Sequence, residues 1–106
     1  MNELLKAIFG PTSVAPKELV VLRLLASGEE LFGLEIAERS GGEIGRGTLY
    51  VVLGRMLEKG LLQSRQDTPG RDWAGPPRRY YRISASGREA LDRYDSVLHA
   101  ARTRRA

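Results

Sequence analysis

The sequence predicts a mainly α-helical fold that carries one two-stranded β-hairpin. Apolar residues recur at helical spacing through most of the 106-residue chain. After Gly60 the period changes from 3.6 to 2, as two short segments alternate between apolar and polar side chains. A chain of this length folds around one core, so we expect a single domain over residues 1–106.

Proline, glycine and serine mark the ends of the first three helices. A helix is expected over residues 1–10, and a second begins near Pro16, because proline suits the first turn of a helix. A short third helix follows over residues 33–39. Its apolar side chains, which we expect to be buried, are Leu34, Ile36 and Ala37.

The fourth helix is expected from about Arg46 to Lys59, with Gly60 as its C-terminal stop. One face carries an apolar stripe that should anchor the helix to the core, made of Leu49, Val52, Leu53 and Met56. The opposite face points outward and carries Arg46, Thr48, Tyr50, Val51, Gly54, Arg55 and Glu58.

Two strands and a final helix complete the chain. Residues 61–66 and 78–83 are expected to pair as a hairpin, joined by a loop longer than the usual two to five residues. Ser84 is a suitable N-cap for the last helix, over residues 84–106.

This order of elements is that of a winged helix-turn-helix, with its core over residues 16–83 and terminal helices that dimerise. The free face of the fourth helix would then enter a DNA major groove. The candidate contacts on this helix are Arg46, Thr48, Tyr50 and Arg55. For Tyr50, a place in the core or in a dimer interface is the alternative.

Positive charge is concentrated in the middle of the chain. Residues 46–88 contain nine Lys or Arg and three Asp or Glu, whereas acidic residues predominate before them. This asymmetry indicates either a polyanion-binding face or a solvated basic surface without a partner. In the wing, Arg71 is a candidate for the minor groove, and Arg78 and Arg79 for phosphates. Trp73 either stacks on a partner or covers its own loop.

The sequence argues against an enzyme, a metal site, a bound cofactor and a membrane protein. It has no cysteine and one histidine, His99, for which no catalytic partner is evident. No apolar run approaches the roughly 18 residues that span a bilayer. Without a secretory signal, a cytoplasmic location is expected.

The terminal helices have apolar seams that so small a domain does not cover. Burial between two copies of the chain would resolve this exposure. The seam residues assigned to the dimer interface are Leu4, Ile8 and Phe9 at one end and Leu91, Tyr94 and Leu98 at the other.

The segments "GTLYVVLGRMLEKGLL", "RRYYRISASGREAL" and "FGLEIAE" together resemble the PadR family of bacterial transcriptional regulators. The resemblance spans roughly residues 17–92. It implies a homodimeric repressor that binds double-stranded DNA, and in some members a small aromatic effector. The short C-terminal part resembles the compact branch of the family, with a single C-terminal helix.

Several residues depart from the family pattern. Leu34 replaces a common tyrosine and Gly45 a serine N-cap, while Val51 and Gly54 stand where polar or basic residues are frequent. We therefore expect this helix to make few direct hydrogen bonds to bases. The alternative function is a winged helix that binds another protein rather than specific DNA.

Overall fold

The computed structural model describes residues 13–67 and 78–105. The expected N-terminal helix, with Leu4, Ile8 and Phe9, lies outside the described residues, as do Arg71 and Trp73 of the loop. The described elements, in chain order, are α1 (Pro16–Leu24), β1 (Leu31–Phe32), α2 (Gly33–Arg39), α3 (Arg46–Glu58), β2 (Leu62–Asp67), β3 (Arg78–Ile83) and α4 (Ala85–Arg105).

Helices α1 and α2 each carry, in the first turn, a glutamate that accepts a hydrogen bond from the backbone amide before the helix. The Ala15 amide donates to Glu18 Oε1 at 2.9 Å, and the Phe32 amide donates to Glu35 Oε1 at 3.1 Å. These bonds satisfy donors that a helix N-terminus leaves open. Glu18 also ties α1 to the end of α3, because its carboxylate lies 2.7 Å from Lys59 Nζ.

Helix α3 matches the expected bounds to within one residue. It starts after Gly45 and is followed by Gly60, whose φ of 74° is the left-handed conformation that glycine adopts at helix ends. Its buried residues are the predicted stripe of Leu49, Val52, Leu53 and Met56. The opposite face of α3 is therefore left outside the core.

The sheet has three antiparallel strands in the order β1-β3-β2. The expected hairpin is present, with Leu62 opposite Ile83 and Asp67 opposite Arg78. The two-residue strand β1 was not expected; it pairs Leu31 with Tyr81. Tyr81 and Ile83 are buried on the inner face, as the alternation predicted.

Helix α4 packs its first turns against the core of its own chain. Ser84 caps it, since the Gly87 amide donates to Ser84 Oγ at 2.9 Å. Leu91, expected in the dimer seam, is only 6% exposed and belongs to the core together with Ala90. It therefore has little free surface to offer a second copy. Tyr94, Val97 and Leu98, further along the helix, are half-buried.

The core lies between α1, α3, the inner face of the sheet and the start of α4. Its fully buried large side chains include Leu22, Leu25, Leu31, Ile36, Ile44, Leu49, Leu53, Met56 and Leu61. Among the helices of the described segments, none has the length and apolar character needed to cross a membrane.

Candidate nucleic-acid interface

The outward face of α3 carries the four residues that the sequence singled out on this helix. Arg46, Thr48, Tyr50 and Arg55 are all exposed. The Thr48 hydroxyl donates to the Gly45 carbonyl at 3.2 Å, so it lies in the first turn of the helix. Because backbone amides at a helix N-terminus favour an anion, this end of α3 suits phosphate.

Tyr50 lies where α3 meets the start of α2. A Cβ atom at Gly33 would be 3.1 Å from both Cε1 and Oη of Tyr50, so the absence of a side chain at Gly33 lets the ring pack there. The rest of the ring is open, since Tyr50 is 57% exposed. Tyr50 is therefore not a core residue of the single chain, which was one of its two interpretations.

Arg46 and Arg55 differ from most arginines of the fold in their surroundings. Within residues 13–67 and 78–105, neither has a hydrogen-bond or ion-pair partner. By contrast, Arg23 pairs with Asp95 at 2.7 Å and Arg65 with Glu30 at 2.7 Å. Arg46 and Arg55 are thus not paired with a described carboxylate, although Glu58 also lies on the outward face of α3.

Arg79 extends this basic surface from the sheet. Its guanidinium donates to Ser64 Oγ at 3.0 Å and to Gln66 Oε1 at 3.3 Å, both neutral groups on the neighbouring strand. Burial raises the pKa of the Tyr81 hydroxyl, while the charge of Arg79 lowers it and the Tyr50 hydroxyl raises it. Tyr81 is buried on the inner face of the sheet, and Arg79 lies two residues before it on β3, so both side chains point to the same face. Arg79 therefore lies on the side of the sheet that faces α3.

Arg78 and Arg79 point to opposite faces of β3, as neighbours in a strand must. The Arg78 guanidinium lies 5.0 Å from the centre of the Phe32 ring, and Arg65 lies 4.7 Å from that of Tyr80. These groups form the outer face of the sheet, where a cleft of about 470 Å³ opens beside Arg65 and Arg82. Of Arg78 and Arg79, only Arg79 therefore lies on the side of the sheet that faces α3.

Arg65 and Glu30 are an ion pair that the sequence did not reveal. The bond to Arg65 lowers the pKa of Glu30, and the same bond raises the pKa of Arg65. The partners are 35 positions apart, so no local spacing could have linked them. Arg65 contributes less free charge to the surface than its position in the basic segment predicts.

One residue that the sequence predicted to be buried is exposed in the structure, and it is one of a small set of exposed apolar side chains. Leu34, expected in the core, is 38% exposed. With Tyr50 and Val51 it makes up the exposed large apolar residues of the described segments. The sequence had placed Val51 outward but assigned it no contact.

The groups exposed on this surface are suited to binding a phosphate backbone. In the described ranges, no group of three or more His, Cys, Asp or Glu residues could hold a metal ion. The surface offers cations, hydroxyls and a helix N-terminus, which are the usual contacts to a phosphate backbone, and one exposed helix face, which fits a major groove.

Comparisons with known proteins agree with this geometry. Residues 21–93 match the Transcriptional regulator PadR-like family. A PadR family transcriptional regulator from Eggerthella lenta shares 27% identity at a TM-score of 0.64, over 80% of this chain and 76% of that one. No curated protein matches the sequence.

Two further similar structures were solved as complexes. Bacillus subtilis PadR, in complex with operator DNA, shares 21% identity at a TM-score of 0.61, over 72% of this chain and 43% of its own. The PcaV transcriptional regulator from Streptomyces coelicolor, in complex with its natural ligand, shares 24% identity at a TM-score of 0.67, over 82% of this chain and 57% of its own. At these identities, both show a shared fold.

Proposed function

Because the chain belongs to the PadR-like family of transcriptional regulators, we propose that it is a homodimeric repressor that binds specific sequences in double-stranded DNA. The observation that carries the proposal is the outward face of α3, where Arg46 and Arg55 are exposed with no carboxylate partner among the described residues. Since uncompensated cations on an exposed helix favour a polyanion, duplex DNA is the partner that this face suits.

The contacts divide into those that read sequence and those that hold the backbone. Arg55 reaches from the middle of α3 toward base edges, where arginine binds guanine. Arg46 and Thr48 lie in the first turn of α3 and suit phosphate. Arg79 adds a phosphate contact from the wing. The B. subtilis complex with operator DNA supports duplex DNA as the partner through the shared fold.

The dimer belongs to the same proposal. Tyr94, Val97 and Leu98 are half-buried on a 21-residue helix whose earlier residue Leu91 is already covered. We assign the remaining seam, with Leu4, Ile8 and Phe9 of the first ten residues, to the contact between two copies. A two-fold axis would present two α3 helices to successive major grooves about 34 Å apart.

Three further assignments complete the proposal: a cytoplasmic location, no enzymatic activity and a small aromatic effector that releases DNA. The S. coelicolor regulator solved with its natural ligand supports an effector through its similar fold. Titrating aromatic acids into the protein bound to DNA tests this part, because an effector would lower the apparent affinity for DNA.

Binding to the DNA upstream of the protein's own gene, compared with random duplex of equal length, tests the main proposal. We expect the upstream DNA to bind at least a hundredfold more tightly, since specific sites commonly exceed non-specific binding by about 10³ or more. Lys17→Ala serves as a control, because Lys17 is an exposed cation at the start of α1, near the far end of α3. Equal binding to both duplexes would favour the protein-interaction alternative.

A further inference from the structure

Three apolar side chains are exposed on the face that the proposed function gives to DNA. Leu34, Tyr50 and Val51 are 38%, 57% and 54% exposed, and they are the exposed large apolar residues within the described segments. The Tyr50 ring contacts Gly33, which precedes Leu34, and Val51 follows Tyr50 in α3. Tyr50 thus lies against the start of α2, and Val51 occupies the next position along the exposed part of α3.

Val51 occupies a bare part of the α3 surface. Gly47 and Gly54 lie about one turn before and one turn after it, and a Cβ atom at either glycine would meet nothing within 4 Å. Neither has a positive φ. The contacts and backbone angles of the described chain thus do not require glycine there. Two of the four positions one turn from Val51 therefore carry no side chain, and the other two are Thr48 and Arg55. The Val51 methyl groups are open to a surface brought against the helix, because the side chain is 54% exposed.

The charges around Val51 indicate which surface that is. Arg55 lies one turn later on the same helix, Arg46 lies in its first turn, and neither has a carboxylate partner in the described part of the chain. A protein surface complementary to Val51 alone would be apolar, whereas this one must also accept two cations. Duplex DNA supplies phosphates at the groove edges and, on its floor, the apolar 5-methyl group of thymine.

We propose that Val51 is a specificity-determining residue that contacts the 5-methyl group of thymine in the major groove. The inference rests on the proposed function and adds the base that this helix selects. It adds a second determinant beside Arg55: a thymine methyl group is recognised by an apolar contact, whereas guanine is recognised by hydrogen bonds.

Replacing thymine by deoxyuridine in a bound duplex tests the proposal, because the substitution removes the methyl group and keeps base pairing and phosphates. The duplex is selected from a random-sequence pool by the wild-type protein, and each thymine is then replaced in turn. We expect a loss of about three- to fivefold at one or two positions in each half-site, the scale of one methyl group leaving an apolar contact. Val51→Ala should bind the thymine and deoxyuridine duplexes equally.

Arg79→Ala is the matched control. Its proposed contact is to phosphate, so it should weaken both duplexes by the same factor and keep the wild-type preference for thymine. Circular dichroism checks that Val51→Ala is folded, which we expect because Val51 is exposed.

Several outcomes would overturn the inference, and they are distinguishable from failure of the proposed function. Equal binding of wild type to both duplexes, or an undiminished thymine preference in Val51→Ala, would contradict the role of Val51 and leave DNA binding in place. A change of oligomeric state in Val51→Ala by light scattering would assign the patch to a protein contact. Absence of any duplex binding would overturn the proposed function itself.

Discussion

Arg55 and Arg79 are both exposed arginines, and we propose different roles for them because their places in the fold differ. Arg55 stands on α3 without a described partner, whereas Arg79 is oriented by Ser64 and Gln66 on the neighbouring strand. We expect Arg55→Ala to relax the preference for particular bases. Arg79→Ala should weaken all duplexes alike and reduce the salt slope by about one for each site removed. Binding curves on selected and random duplexes measure both effects.

Lys17→Ala again provides the control for charge removal away from the proposed interface. If Arg55→Ala and Arg79→Ala changed binding no more than Lys17→Ala does, the interface would lie on another face of the molecule.

Gly87 is a residue whose lack of a side chain is required by packing. A Cβ atom there would overlap the Leu61 carbonyl oxygen and lie 3.0 Å from Ile83 Cγ1. We expect Gly87→Ala to lower the free energy of unfolding by about 1–3 kcal/mol, as overpacking of a tight core usually does. Urea denaturation measures this, with Ser86→Ala at the exposed neighbouring position as the control. Unchanged stability would mean that α4 can shift away from Leu61 at little cost.

Two residues whose surroundings were predicted wrongly from the sequence, Leu91 and Leu34, show what apolar periodicity cannot determine. Leu91, Tyr94 and Leu98 share one face of α4 by spacing, but only the structure shows that Leu91 is covered by its own chain. Periodicity identifies an apolar face and not the partner that each position along it meets. Leu34 was placed in the core for a similar reason: a helix of seven residues offers too few turns to define its buried side.

The helix boundaries could be predicted, because residues typical of helix ends stand at them. Pro16 begins α1, Gly60 follows α3 and Ser84 caps α4. Strand β1 could not be predicted, because two residues have no period. It forms because β3 leaves a free edge beside Leu31 and Phe32, which is a tertiary effect.

Replacing Gly54 on α3 should change stability and DNA binding in opposite directions. A Cβ atom there meets nothing within 4 Å, so Gly54→Ala should stabilise the fold by about 1 kcal/mol through helix propensity alone. The added methyl group should hinder close approach of α3 to DNA and weaken duplex binding. Thermal unfolding and a binding titration on the same preparation measure the two effects. A stabilised variant with unchanged DNA affinity would show that DNA binding does not require glycine at this exposed position.

In the molecule as a whole, α4 is the described element to which we assign dimerisation. Its 21 residues extend over about 31 Å, and only its first turns belong to the core of the chain. The half-buried Tyr94, Val97 and Leu98 continue the same face beyond that core. The second half of the helix is therefore the part of α4 that we assign to a second copy.

Leu98→Lys tests this assignment. A lysine in the seam would bury an unpaired charge, at a cost of several kcal/mol to the dimer unless the helix shifts. We expect the variant to keep its winged-helix fold by circular dichroism, to run as a monomer by light scattering and to lose tight operator binding.

Ser96→Lys adds the same charge at an exposed position of α4 and should remain dimeric. A wild-type protein that is monomeric at micromolar concentration, or a Leu98→Lys variant that stays dimeric, would contradict this interface assignment.

The salt dependence of duplex binding is the sharpest test of DNA binding by α3 and the wing, because a protein that binds the DNA backbone displaces counterions from phosphates. If a dimer neutralises about six to ten phosphates, affinity should fall on the order of a thousandfold or more between about 50 and 200 mM salt, with a linear double-logarithmic plot. Affinity that stays flat across this range would contradict the assignment of α3 and the wing to DNA.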